Sequence, residues 1–225
     1  MRNLISAGLL VMVFFISSCK SPYFTSANNM RSINSTVYLK DGKELHGQVT
    51  SSLANYYSSN SYITMKPEDS KEQRIYLTDI KGLDVRSNYY EPKLIDMGFG
   101  SRDQVLFVKR MTKPDSRIGL YELYEQQQNT SYRNGSSYTY YTDKYSYYIS
   151  FEGNKNGVAW SLEGKHLTPN FEDKMSEVVK DCPGLAEKIK RKEKGYFYAQ
   201  ISLSGEKRIE TMMNIIDEYN RCKQN

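Results

Sequence analysis

Histidine is almost missing from this chain: 225 residues hold 2, beside 3 cysteines and 1 tryptophan. Zinc chemistry is therefore poorly supplied. No His-Glu-x-x-His, Cys-x-x-Cys or alternating-acid calcium loop occurs, and His46 and His166 read as surface or hydrogen-bonded residues. A Gly-x-Ser-x-Gly elbow is missing too. Gly98-Phe99-Gly100-Ser101 lacks the third glycine and the lysine of a phosphate loop, so it reads as a strand connection. Acid pairs such as Glu122/Glu125 and Asp79/Asp84 arise by chance among 26 acids and do not make a glycosidase dyad. The net charge is only +5, too little for a polyelectrolyte partner. No catalytic residue, cofactor, metal or nucleic-acid partner is expected.

What is abundant is tyrosine, 20 residues against 8 phenylalanines. Its ring favours strands and its hydroxyl tolerates water, so half-exposed sheet surfaces are expected. Apolar residues at 39% and charged residues at 25% allow a packed core.

The first nineteen residues follow their own pattern. Arg2 precedes an apolar run over 4–16, then Ile16-Ser17-Ser18-Cys19. This is the basic, apolar and small-residue order of a cleaved secretory signal, with an apolar stretch shorter than the ~20 residues of a membrane span. The last four residues resemble the lipobox of bacterial lipoproteins. That resemblance implies cleavage after residue 18 and acylation of the Cys19 thiolate, the nucleophile that accepts the lipid. It also implies a membrane anchor through two or more acyl chains. Lys20, in place of the Asp that holds lipoproteins at the inner membrane, implies the outer membrane of the cell envelope, with the leaflet open. Residues 19–35 read as the lipidated cysteine and a flexible tether.

Short strand-like runs begin at 36 and continue to 165. Runs at 36–40 and 43–50 flank Asp41-Gly42, a strong hairpin signal. Further runs occupy 62–66, 73–77 and 80–86, with Leu39, Leu45, Val49, Ile63, Ile75, Ile80, Leu83 and Val85 as the expected core. Over 36–86 this resembles a small SH3-like or Sm-like barrel, from which the shape carries over and not the RNA binding of Sm proteins. Additional strands are expected at 105–108, 117–125, 145–151 and 157–161, and Asn134-Gly135 marks a turn.

From residue 166 the apolar period becomes helical. Thr168-Pro169 is expected to open a helix bearing Phe171, Met175, Val178 and Val179. Cys182-Pro183 restarts a second helix, ending at Gly195. Ser204 caps a third carrying Ile209, Met212, Met213, Ile216 and Tyr219. The expected fold class is α+β, a strand-rich body over 36–165 followed by a helical segment over 166–225. With Cys19 acylated, Cys182 and Cys222 form an even pair that an oxidising compartment would join. The alternative is two separate buried thiols. A bridge closing a loop of roughly 40 residues stabilises by about 3–4 kcal/mol through loop entropy.

Two surface features remain. The run Lys188-Ile189-Lys190-Arg191-Lys192-Glu193-Lys194 could meet lipid phosphates, but cations here also suit a helix end. Tyr138, Tyr140, Tyr145 and Tyr147 stand in a tyrosine-crowded stretch, each pair at the i, i+2 spacing of one strand face, and form a candidate recognition surface for a protein or a sugar. The smaller cluster Asn55-Tyr56-Tyr57-Ser58-Ser59-Asn60 reads as a loop. The whole layout resembles small Gram-negative envelope lipoproteins with Asp-Cys-Pro and a terminal Tyr-Asn, here Asp181-Cys182-Pro183 and Tyr219-Asn220. The likeness carries no activity with it. The expected role is a non-enzymatic interaction or structural lipoprotein with an envelope partner; the alternative is a glycan-binding module, and then a hydrolase, acting on surface polysaccharide.

Overall fold

A computed structural model describes residues 21–52, 61–68, 70–96, 103–154, 157–199 and 205–222. The signal segment, Cys19, the 55–60 cluster and the glycine turn at 98–101 lie outside the described residues, as does Ser204. Strands come first and helices last, so the fold is α+β. The strands are β1 (Tyr23–Ser26), β2 (Asn29–Leu39), β3 (Glu44–Ser51), β4 (Tyr62–Pro67), β5 (Gln73–Tyr76), β6 (Ile80–Val85), β7 (Asn88–Ile95), β8 (Gln104–Arg110), β9 (Ile118–Arg133), β10 (Ser136–Phe151) and β11 (Val158–Ser161). The helices are α1 (Phe171–Val178), α2 (Pro183–Lys190) and α3 (Gly205–Cys222).

One sheet runs β11-β10-β9-β8-β7-β6-β2-β3-β4-β5, with β1 beside β2. Strands β2 to β6, in the order β6-β2-β3-β4-β5, are the small five-stranded barrel expected from the turn pattern. Val37, Val49, Ile63, Met65, Ile80 and Leu83 fill it completely shielded from water, while Leu39 and Leu45 pack at its margin.

The tether expected over 19–35 is mostly structure. Tyr23 already starts β1, and Ala27, Asn28 and Met30 are buried. Asn28, in the turn after β1, explains why. Its amide nitrogen donates to the Phe107 carbonyl at 2.8 Å, and its amide oxygen accepts from the Phe107 N–H at 2.8 Å. A buried backbone edge needs such partners, because β9 pairs with β8 only at Lys109↔Glu122 and Arg110↔Tyr121 before departing. The side chain of Asn28 stands in for the missing strand.

β7 was not among the expected strands, and it holds Pro92, a residue unusual in a strand interior. The ladder shows how it is accommodated. β7 pairs with β6 through Tyr90 and with β11 from Leu94, so Pro92 occupies the gap between two partners. Opposite it, Phe107 turns its own backbone groups to Asn28.

β9 and β10 pair without a shift from Ile118↔Phe151 to Arg133↔Ser136. Asn134 and Gly135 have φ of 51° and 77°, the positive pair of a two-residue type I′ turn. At the root both faces of this ribbon are buried. Tyr121, Leu123 and Tyr148 face the barrel core. Ile118, Leu120 and Ile149 face a second core with the helices. The alternation of Ile118 with Leu120 is therefore only half the pattern.

The helices need three corrections. Asn170, in the left-handed conformation, precedes α1, so Thr168-Pro169 lies outside the helix; the Thr168 hydroxyl bonds the Glu163 and Gly164 carbonyls instead. α2 stops at Lys190 before Lys192 at φ 57°, short of Gly195. α3 buries Ile215, while Ile209 and Met213 are only half-buried, so its inward face is rotated from the expected one. Cys182 and Cys222 are joined by a disulfide with Cα atoms 6.2 Å apart, tying the start of α2 to the end of α3.

Asn28→Ala leaves a buried N–H and a buried carbonyl unmet, at about 1–3 kcal/mol each. Urea unfolding should place the variant several kcal/mol below wild type. A midpoint unchanged from wild type would show that the amide is not the substitute strand.

Candidate functional site

Beyond its root the β9–β10 ribbon leaves the body. Residues 126–133 and 136–145 are exposed almost throughout, and eight residue pairs extend about 25 Å. Among the described residues no third strand pairs with β9 beyond Glu122 or with β10 before Tyr148. Past its base, where Gln126, Gln127, Gln128 and Tyr141 border a groove shared with Ser26 and Asn29, both edges and both faces of this arm are open among the described residues. From 126 to 142 its only charged residue is Arg133; the rest is Gln, Asn, Thr, Ser, Tyr and the turn glycine.

The register sorts the tyrosines. Tyr138 and Tyr140 share one face, whereas Tyr141, Tyr145 and Tyr147 share the other, because an odd spacing separates the two pairs. The four residues singled out from sequence therefore do not form one surface. Tyr147 is further removed: it packs with the helix-side core and its hydroxyl donates to Glu122 at 3.4 Å. Tyr145 lies 5.3 Å from Tyr124 at the foot of the arm, ring centre to ring centre. Tyr132 and Tyr141, not among the four, are the most open, at 80% and 60% exposure. Counting alternation outward from the Asn134-Gly135 turn is the signal that finds them.

Glu122 and Glu125 fall on opposite faces of β9, which removes that acid pair. Asp84 accepts a hydrogen bond from the Tyr38 hydroxyl at 2.7 Å, which pushes that phenol up to about 12. His46 Nδ1 lies 3.0 Å from the Thr36 hydroxyl. His166 stacks on Trp160 at 5.6 Å. Among the described residues no group of three or more His, Cys, Asp or Glu could hold a metal ion. In the basic run, Lys188 pairs with Glu218, Arg191 with Glu187 and Lys192 with Glu172. Three of its cations thus have internal carboxylates.

The deepest charged group is Glu91 on β7. Arg110 meets it at 2.6 Å and Lys93 at 2.8 Å, and the Tyr121 hydroxyl donates to it at 2.9 Å. Gly119 gives this phenol its room: a Cβ there would lie 2.4 Å from the Tyr121 oxygen. Arg110 also donates to the Thr112, Lys113 and Pro114 carbonyls, fixing the turn before β9. Burial pushes the Glu91 carboxyl up, but the hydrogen bonds and charges of Lys93 and Arg110 outweigh it and hold the group below its ordinary value. A carboxylate so fully engaged locks the root of the ribbon and is not poised to take a proton.

The residues Asp181, Tyr219 and Asn220, noted as two separate motifs, meet in space. The Tyr219 hydroxyl donates to Asp181 at 2.9 Å. Asn220 accepts from the Arg117 N–H at 3.3 Å and donates to the Ser116 hydroxyl at 3.2 Å. The Arg117 guanidinium reaches Asp181 at 3.4 Å. This polar cluster docks α3 on the start of β9.

Comparison with protein-family models, with curated proteins and with solved structures finds no match to this chain.

Because the folded pKa of Glu91 is depressed, its stabilisation is present above the unfolded value of about 4.3 and lost as pH falls through the folded value. Urea midpoints of wild type should therefore fall on acidification below about pH 4.3. Glu91→Gln should start less stable at neutral pH and show a shallower acid limb. Equal acid limbs in the two proteins would refute this role.

Proposed function

We propose that this chain is an exported, lipid-anchored envelope protein that works without catalysis, using the β9–β10 arm as its contact surface. The arm carries the reading. An exposed ribbon with one charge in seventeen residues gains nothing for the stability of its own fold. Its Tyr, Ser, Asn and Gly content is the composition of recognition loops, in which tyrosine supplies broad contact area at low entropy cost. Phenol rings on both faces offer two surfaces for a partner that wraps or clamps the ribbon, and the open edges offer backbone hydrogen bonds as well.

Two further observations support export. Ile16-Ser17-Ser18-Cys19 has the lipobox order, and the Cys182–Cys222 disulfide fits an oxidising compartment. Since β1 begins at Tyr23, an acylated Cys19 would be followed by only three residues before folded structure. Four residue steps span at most about 14 Å, so the body and its arm would sit close to the membrane surface. Lys20, where an Asp would hold a lipoprotein at the inner membrane, favours the outer membrane.

A glycan as the arm's ligand is the second reading, favoured by rings that carry almost no charge beside them. A hydrolytic role has no such support once Glu122 and Glu125 are separated.

Metabolic labelling with a fatty-acid analogue should mark wild type and leave Cys19→Ala unlabelled; equal label in both would overturn the anchor. For the arm, a photo-reactive residue placed at Tyr132 or Tyr141 in envelope-bearing cells should give discrete adducts. The same residue at Lys40 on the barrel should give none. Adducts to protein would favour the first reading and adducts to polysaccharide the second. An identical pattern at all three positions would remove the arm as the contact surface.

A further inference from the structure

At the end of the ribbon away from the arm tip, a cleft of about 680 Å³ opens between the sheet and the helices, within the range of about 300–1,000 Å³ typical of small-ligand sites. Its walls include Arg117, Phe151, Trp160, Lys174, Asp181 and Tyr219. Trp160 and Phe151 meet edge to face, ring centres 4.9 Å apart. His166 lies nearly parallel to the indole, at 14°, and β11 holds Trp160 in register with Ile149. The two rings, perpendicular to each other, are therefore fixed before any ligand arrives.

The rim is polar and equally constrained. Arg117 sits over the Tyr219 ring at 5.8 Å and reaches Asp181, while Tyr219 donates to the other Asp181 oxygen. The Cys182–Cys222 bridge is one residue from Asp181 and three from Tyr219, so their spacing is locked. Lys174 donates to the Lys165 carbonyl at 2.8 Å and keeps further N–H donors.

The lining selects the ligand by exclusion. Three cations, Arg117, Lys174 and Lys180, are balanced by Glu152, Glu177 and Asp181, and Lys180 is paired with Glu177 at 2.6 Å. A charged ligand gains no net attraction from such a set. An apolar ligand would strip water from donors and acceptors without replacing it. What suits both halves is a neutral molecule with one C–H face and several hydroxyls. We propose that this cleft binds a neutral saccharide, its C–H face in the corner formed by Trp160 and Phe151 and its hydroxyls bonded to Lys174, Arg117 and Asp181. The site is independent of the arm, and its test does not touch the arm's tyrosines.

Trp160 is the chain's sole tryptophan, so its fluorescence reports this cleft alone. The full-length mature protein is titrated with maltotetraose, cellotetraose and chitotetraose, and with tetragalacturonate as the acidic comparator. At least one neutral oligosaccharide should shift the emission saturably, with Kd on the order of 1 mM or tighter. Lys174→Ala and Asp181→Asn should each weaken it about tenfold, with melting temperatures measured alongside, whereas Tyr132→Ser should leave it unchanged. Lys174→Ala removes only a side chain at the rim, so its result stands if Asp181→Asn fails to fold. The proposal is overturned if no neutral oligosaccharide gives a saturable shift at concentrations on the order of 10 mM. Tighter binding of tetragalacturonate, or a Lys174→Ala protein that binds like wild type, would overturn it equally.

Discussion

The structure depends on one short stretch of ribbon that is buried on both sides. Leu120 and Ile149 point to the helices while Tyr121, Leu123 and Tyr148 point to the barrel. Both halves cover apolar surface with this wall: the helices pack on one of its faces, and the barrel with β7 and β8 shares the core on the other. Burial of each large side chain contributes about 1.5–3 kcal/mol. The wall collects such contributions twice, once per face. That is why the strand-rich body and the helical segment form one folded unit although the sequence changes period between them.

A wall shared by two cores must end somewhere, and the ending creates the arm. β9 leaves β8 after two paired residues, which would orphan the backbone of Phe107 in a buried place. Asn28 supplies an acceptor and a donor in strand-like geometry, and Pro92 stands where an N–H would have had no partner. The Glu91, Arg110 and Tyr121 cluster then fixes the direction in which β9 departs. Projection of the arm thus follows from local satisfaction of backbone and charge at the fork, and the arm's own residues, exposed on both faces, contribute little to it.

Much of this was legible in the sequence, and what was not has specific causes. The barrel strands declared themselves through period two and Asp41-Gly42, because one of their faces is wet. The Cys182–Cys222 pair followed from counting cysteines. β9 was foreseen only to 125, since beyond it there is no apolar alternation to see: both faces of the arm are polar, and pairing rests on the Asn134-Gly135 turn and on tyrosine and threonine propensity. The segment 21–35 looked like a tether because Asn28 and Ser26 are polar, yet a polar residue can be buried for the hydrogen bonds it makes. β7 carries Pro92, which is tolerated because its neighbours on one side, β6 and β11, leave a gap at that residue. For the cleft, Asp181 and Tyr219 were visible as residues, while their convergence with Arg117 and Trp160 on one cleft is a product of helix docking that no local pattern encodes.

Arg117 immediately precedes β9 and Phe151 ends β10, so the cleft and the arm occupy opposite ends of one ladder. Sixteen residues per strand at about 3.3 Å each span roughly 50 Å. The pairing runs without a bulge between those ends, and its cleft-side end is clamped by both cores. Beyond the clamp the two strands pair with each other alone among the described residues. The clamp at Leu120, Tyr121 and Leu123 therefore orients the root from which the arm leaves and against which the cleft is built. Stability of the double-faced root and geometry of the exposed surfaces are one property of the same six or so residue pairs, so substitutions there should alter the presentation of arm and cleft together, whereas substitutions in the outer arm leave the fold intact.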